Sequence, residues 1–104
     1  MPDARETQYL AMIEQFPESP LGYFSLGRYY LEQGRHAEAA VRFRRCTELQ
    51  PEYAAALMSL GDALAGAKDL EGAKASYARA RSAALAQNHP TLADEVDERV
   101  ADLG

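Results

Sequence analysis

The chain has 104 residues, of which 47% are hydrophobic and 26% charged, and this composition predicts one small globular domain rather than a disordered segment. Its formal net charge of −5 excludes the basic excess typical of nucleic-acid-binding surfaces, so no nucleic-acid partner is expected. No apolar run approaches the roughly 20 residues that span a bilayer, and no cationic start precedes an apolar stretch, so we expect neither a membrane partner nor a secretory signal.

Cysteine usage is sparse. Cys46 is the single cysteine of the chain, so no internal disulfide bond is expected. This is compatible with a reducing compartment, and together with the missing secretory signal it predicts a cytoplasmic protein.

The hydrophobic pattern predicts six helices and no strand. Apolar residues recur three and four positions apart, as they do on one face of a helix. Asp3, Ser19 and Asp69 are good N-caps, Pro17 ends the first helix, and Gly34 suits the left-handed position that follows a helix. In chain order, the predicted helices cover residues 1–16, 20–33, 36–49, 52–65, 70–86 and 91–103. Because the turns between them are short, successive helices should pack antiparallel.

A period of about 34 residues underlies this pattern. A shift by one period superimposes residues of similar size: Leu26-Gly27 on Leu60-Gly61, Ala39 on Ala73, and Phe43 on Tyr77. Small residues in one helix would admit large side chains from the adjoining helix. A fixed period in this range predicts a helical solenoid, in which each repeat packs mainly on its neighbours.

These residues resemble the tetratricopeptide repeat, a helix–turn–helix unit of about 34 residues. Numbered from Pro20, the first repeat matches the family pattern at Tyr23, Leu26, Gly27, Tyr30, Gly34, Ala39, Phe43, Cys46 and Pro51. Numbered from Ala54, the second matches it at Leu57, Leu60, Gly61, Leu64, Ala73, Tyr77 and Ala80. The second repeat departs from the pattern at Lys68, where the family prefers glycine, and at Leu85, where it prefers proline. Without that proline, the fifth helix is expected to run longer than the third.

The resemblance implies an all-α fold, a right-handed solenoid of antiparallel helix pairs. The first helix would be the second half of a preceding repeat, because the proline that follows it lies one period before Pro51. A half repeat, two full repeats and a capping helix would then occupy residues 1–17, 20–53, 54–87 and 90–104 of a single domain, 1–104.

Residues suited to catalysis or metal binding are scarce. His36 and His89 lie far apart, and neither belongs to a metal-ligand or triad pattern. Cys46 takes a small-residue position of its repeat, which favours a buried, inert thiol over a nucleophile. Glycine-rich phosphate loops and nucleophile elbows are absent from the sequence. We therefore predict that the protein is no enzyme and uses neither a cofactor nor a metal.

In the family that the chain resembles, the first helix of each repeat lines a concave groove that binds other proteins. The matching positions here are Leu21, Phe24, Arg28, Leu31, Met58 and Asp62, our candidate groove residues. The alternative for Phe24 and Met58 is that they lie half-buried between helices. The resemblance implies a non-enzymatic interaction module that binds a peptide or helix of an unidentified partner protein. One subclass grips chaperone tails with lysine and asparagine, but Phe24 and Arg28 stand at those positions, so we predict no chaperone-tail receptor.

Self-association is the alternative function. A short array has a small core, and a homo-oligomeric scaffold that stacks through its ends or its exposed helix faces would bury more apolar surface. Charge is unevenly placed, with arginines around the third helix and acids on the last: Arg35, Arg42, Arg44 and Arg45 against Asp94, Glu95, Asp97, Glu98 and Asp102. This pattern indicates either two solvated faces or a head-to-tail contact between molecules.

Overall fold

The structure is a computed structural model that describes residues 3–103. It contains six helices: α1 Ala4–Gln15, α2 Pro20–Glu32, α3 His36–Leu49, α4 Ala54–Gly66, α5 Leu70–Ala86 and α6 Pro90–Asp102. Residues 3–103 contain no strand. The predicted all-α fold is thereby confirmed, and from α2 onward every helix bound lies within two residues of its prediction. The predicted start of the first helix at residue 1, and the end of the capping segment at residue 104, lie outside the described residues.

The helix starts follow from their capping residues. The Asp3 carboxylate accepts a hydrogen bond from the Arg5 N–H at 2.8 Å, and the Ser19 hydroxyl accepts one from Leu21 at 3.3 Å. The Asp69 carboxylate accepts one from the Gly72 N–H at 2.9 Å. Each cap pairs with an N–H that has no partner inside its own helix. The three predicted N-caps are confirmed.

Three of the turns contain a residue in the left-handed region. Gly34 follows α2 with φ of 74°, Lys68 follows α4 with φ of 69°, and Asn88 follows α5 with φ of 61°. Lys68 therefore adopts the backbone conformation of the glycine that it replaces in the repeat pattern, and a side chain in that region costs about 1 kcal/mol. Helix α5 has 17 residues against the 14 of α3, so the longer helix expected without a proline at Leu85 is confirmed.

Successive helices pack in antiparallel pairs along the chain. Helix α2 also touches α4, and α4 touches α6, so the first helices of the two repeats lie side by side with α6 next in the row. Helices α3 and α5 both pack on α4 but not on each other. The array is therefore built mainly from contacts between neighbours. Within residues 3–103, no helix is long and apolar enough to cross a membrane.

The core is centred on α4 and on two glycines. Nine of the 13 residues of α4 are buried, whereas α1 has no buried residue. A Cβ atom built on Gly27 would lie 2.7 Å from the ring of Phe43, and one built on Gly61 would lie 2.5 Å from the ring of Tyr77. The missing side chains allow both rings to lie directly against a helix backbone. This explains why glycine stands in the middle of two helices despite its low helix propensity.

Candidate functional site

The predicted groove residues lie on α2 and α4, the two first helices of the repeats. We call this set of candidate residues the α2–α4 groove; it comprises Leu21, Phe24, Arg28, Leu31, Met58 and Asp62. Leu21, near the start of α2, is 59% exposed. Arg28, further along the same helix, is also exposed. Leu31 is half-buried against the core. The exposed contact surface of α2 therefore comes mainly from one leucine and one arginine.

Phe24 belongs to an aromatic cluster. Its ring stacks on Tyr53, with centroids 4.9 Å apart and an interplanar angle of 20°, and it is tilted against Phe43 at 6.0 Å. Tyr53 is the N-cap residue of α4, so this stack joins the start of α4 to α2. Phe24 and Tyr53 are both half-buried, and their packing holds a partly exposed aromatic surface beside Leu21 in a fixed orientation.

Met58 and Asp62 lie deeper than the α2 members of the groove. Met58 is only 8% exposed and belongs to the main core cluster. The Asp62 side chain is 23% exposed and hydrogen-bonded on one oxygen. Little of either side chain is free to touch another molecule, so the exposed surface of the groove lies towards α2.

Asp62 connects α4 to both α5 and α6. Its Oδ1 accepts a hydrogen bond from the Tyr77 hydroxyl at 2.6 Å and another from Arg99 Nε at 3.2 Å. Burial raises the pKa of Tyr77 above its ordinary value, and the bond to Asp62 adds to the effect. The phenol therefore stays protonated and keeps donating. A charge-assisted bond of this length is among the stronger hydrogen bonds in proteins.

A carboxylate of α2 outside this set is also near a guanidinium. Glu32, close to the end of α2, lies 3.8 Å from Arg5 of α1. Arg5 in turn lies over the ring of Tyr29, 5.0 Å from its centroid. Both side chains of the ion pair are more than half exposed, so the pair contributes little to stability. Its effect is to place a positive charge beside Glu32.

The cysteine is enclosed in the core, and one of the two histidines is half-buried. Cys46 is fully buried beside Tyr23 and Ala56, and burial raises the pKa of its thiol to about 11. His36 is half-buried against Gly66, and within residues 3–103 its Nδ1 has no hydrogen-bond partner. No group of three His, Cys, Asp or Glu side chains in the described part of the chain could hold a metal ion.

A shallow groove also follows the opposite side of the array. It lies between α3 and α5, which do not touch, and its lining includes Arg44, Thr47, Ser76 and Arg79. Arg79 forms no ion pair within residues 3–103. Substitutions on α3 and α5 therefore serve as controls for substitutions in the α2–α4 groove.

Three residues at the groove were missed by sequence reasoning: Tyr53, Tyr77 and Arg99. Arg99 had a signal, since it is the one basic residue among the acids of α6. Tyr77 also had a signal, because its repeat equivalent Phe43 lacks a hydroxyl. A buried hydroxyl needs a hydrogen-bond partner, so the difference indicates a polar contact at Tyr77. The stacking of Tyr53 had no sequence signal, because it depends on how the turn after α3 folds back towards α2.

Comparison with known proteins connects the chain to repeat proteins. A curated relative, the TPR repeat-containing protein PA0015 of Pseudomonas aeruginosa, is 36% identical over 66 residues, which cover 64% of this chain. The match spans 63% of that relative, less than two thirds of its length.

Two solved structures share the fold. The TPR2B domain of yeast Sti1, solved as a complex with pHsp70, superimposes with a TM-score of 0.89 at 21% identity, over 94% of this chain and 78% of that one. Protein BPP2914 from Bordetella parapertussis superimposes with a TM-score of 0.83 at 25% identity, over 98% of this chain and 89% of that one.

The family comparison covers most of the chain. The model of the tetratricopeptide repeat family matches residues 2–45 and 24–90, overlapping stretches that include both predicted full repeats. The six antiparallel helices and the glycine-centred packing are the architecture that this pattern specifies. The chain belongs to the tetratricopeptide repeat family.

Proposed function

We propose that this chain is a non-enzymatic interaction module that binds a peptide or helix of a partner protein in the α2–α4 groove. The observation that carries the proposal is the surface at the start of α2, where exposed Leu21 lies on the same helix face as the Phe24–Tyr53 stack and Arg28. A leucine that is 59% exposed beside an ordered aromatic pair is a surface suited to burial by another molecule.

The residue types fit this role. Aromatic and arginine side chains are enriched at protein–protein interfaces and at their energetic hot spots. Phe24 is already immobilised by Tyr53 and Phe43, so a partner that packs on it loses little additional side-chain entropy. The groove thus combines a packed apolar anchor, Phe24, with an exposed charged side chain, Arg28.

Membership of the family supports an interaction role, since tetratricopeptide repeats are in general protein-binding units. The Sti1 domain of the same fold was solved with a bound partner, pHsp70. Its identity to this chain is only 21%, so the similarity supports a common fold and not a common partner. The cytoplasmic location stays a prediction for this chain.

Replacing two exposed residues of α2 with glutamate tests the proposal. Leu21→Glu combined with Arg28→Glu should reduce partner capture from a lysate of the source organism by at least about tenfold, because a buried apolar contact and a charge contact are both lost. Both positions are exposed, so the helical circular dichroism and the melting temperature should stay unchanged. Phe24 is left intact because its substitution would disturb the stack with Tyr53.

A control places two glutamates at an exposed apolar residue and an exposed arginine of α3. Val41 is 60% exposed and Arg44 is also exposed, and Val41→Glu with Arg44→Glu should retain every captured protein. Proteins captured equally by the wild type and by both double variants would contradict groove binding.

Self-association is the second candidate, favoured by α1. This helix has no buried residue, and it leaves Leu10 and Phe16 exposed at the end of the array. If these side chains meet a second copy, light scattering should give a mass that rises with concentration above 11.4 kDa, and Leu10→Glu with Phe16→Glu should return it to the monomer value. A constant monomer mass in the wild type would exclude this function.

A further inference from the structure

We propose that the two ends of the array bind each other between copies: α6 of one molecule pairs with α1 of a second copy, and the two helices together complete one tetratricopeptide repeat. This inference rests on the second candidate function, self-association, and deepens it. It names the surface that α1 meets, and it makes the contact heterologous rather than symmetric.

Helix α1 is a second helix that has no first helix before it within residues 3–103. In the complete repeat, three residues of α3 are fully buried: Ala39, Phe43 and Cys46. Helix α2 helps to cover them, since the ring of Phe43 lies on its backbone. One period earlier, the equivalent residues of α1 are Arg5, Tyr9 and Met12. None of these three is buried, so α1 has a partly uncovered face where a first helix would pack.

Helix α6 corresponds to a first helix. Like α2, it has 13 residues and begins with a proline. When the two prolines are aligned, fully buried Leu26 of α2 corresponds to fully buried Val96 of α6. Helix α6 also continues the row of first helices, because it touches α4 as α2 does. Within residues 3–103 no second helix follows it.

The uncovered face of α6 is identified by the same alignment. Gly27 and Tyr30 of α2 contact the second helix of their repeat: a ring of α3 lies on Gly27, and the N-cap arginine of α3 lies over Tyr30. Their counterparts on α6 are Asp97 and Val100. Tyr30 is 4% exposed, whereas Val100 is 45% exposed. Helix α6 therefore exposes a valine and a carboxylate where a first helix meets its second helix.

The two ends carry opposite charges at positions that are small inside the array. The complete repeats have a glycine on the first helix and an alanine on the second: Gly27 with Ala39, and Gly61 with Ala73. The equivalent residues at the ends are Asp97 on α6 and Arg5 on α1. The alanine position lies four residues, about 6 Å, from the ring that covers the glycine, a distance that a long arginine side chain bridges. Pairing α6 with α1 joins unlike charges, whereas pairing either end with itself would bring like charges together.

The partners that these two side chains have within the chain bind them weakly. Arg5 lies 3.7 Å from Asp3 and 3.8 Å from Glu32, and Asp97 accepts a hydrogen bond from Arg81 at 2.9 Å on one of its oxygens. All of these side chains are about half exposed, and exposed ion pairs contribute little to stability. Both charges can therefore be shared with a second copy at little cost.

The first test is the size of the assembly. A heterologous contact leaves one free α1 and one free α6 on every assembly, so it does not close at a dimer. In sedimentation equilibrium, the mass of the wild type should rise beyond twice 11.4 kDa as its concentration is raised. A mass that levels off at twice 11.4 kDa would indicate a symmetric dimer and would overturn the inference.

Charge reversal at either end tests the pairing. Arg5→Asp and Asp97→Arg should each raise the dissociation constant for self-association at least about tenfold, because like charges then face each other. An equimolar mixture of the two variants should associate again, since α6 of each then meets an opposite charge on α1 of the other. A mixture that stays monomeric, or wild-type association of Asp97→Arg alone, would contradict the pairing.

Two controls separate the contact between copies from the contacts within one chain. Glu32→Gln and Arg81→Gln each remove a partner of Arg5 or Asp97 inside the chain but leave both end charges in place. Self-association of these variants should be unchanged or tighter. If they weakened it as much as the charge reversals, the reversals would act by loosening α1 or α6, and the proposed pairing would be wrong.

The failures are distinguishable. A constant mass of 11.4 kDa in the wild type would exclude self-association together with this inference, and groove binding, which is tested by partner capture, would be unaffected. Association that is lost on Leu10→Glu with Phe16→Glu but kept by Asp97→Arg would overturn this inference alone.

Discussion

Gly61→Leu is expected to lower the free energy of unfolding by about 3 kcal/mol, at the upper end of the range for overpacked cores, or to prevent folding. A Cβ atom alone at this position would lie 2.5 Å from the ring of Tyr77, and the remaining leucine atoms would extend into the same ring. The ring cannot withdraw without breaking the 2.6 Å bond between its hydroxyl and Asp62. Urea denaturation followed by circular dichroism measures the loss.

The control for that substitution is Ala37→Leu, which adds leucine at an exposed helical position of α3. Its free energy of unfolding should stay within about 0.5 kcal/mol of the wild-type value, as is usual for surface substitutions. Wild-type stability of the Gly61→Leu protein would mean that α4 and α5 do not pack through this glycine, and the alignment of the two repeats would then be wrong.

Phe43→Ala should destabilise the protein by about 3–5 kcal/mol, the usual effect of deleting a buried aromatic ring. Phe43 is completely buried, fills the space left by Gly27 and supports Phe24. Its removal leaves a cavity between α2 and α3 that neither glycine nor the stacked rings can fill. Thermal and urea unfolding both report the change.

The same truncation at Phe16 provides the comparison. Phe16 is 57% exposed, so Phe16→Ala should change the free energy of unfolding by no more than about 0.5 kcal/mol. Equal losses from the two truncations would contradict the placement of Phe43 in the core and of Phe16 at the surface.

The fold was largely predictable because its determinants are local or periodic. Asp3, Ser19 and Asp69 identify helix starts through their own side chains, and the long α5 follows from a missing proline. The 34-residue shift that relates Gly27 to Gly61 carries the packing of one repeat onto the next. A repeat in the sequence therefore predicts which helices pack together, whereas the pattern of a single helix predicts only which of its faces is buried.

The site was less predictable, because its properties depend on contacts between elements. Met58 and Arg28 both fit the groove positions, yet one lies in the core and the other in solvent. The bond from Arg99 to Asp62 joins residues 37 positions apart and depends on how α6 is rotated against α4. Periodicity places both residues on helices but does not give that rotation. The repeat pattern therefore predicts candidate positions, and contacts between helices decide which of those side chains are exposed to a partner.

Packing mainly between neighbouring helices has a consequence for how the chain reaches its native state. Because each helix rests chiefly on the one before and the one after it, ordering requires few closures of long loops. Structure can begin at α4, whose surface is the most enclosed, and extend towards both termini one helix at a time. Because helix α1 has nothing buried, its backbone amides are expected to exchange with solvent faster than those of α4.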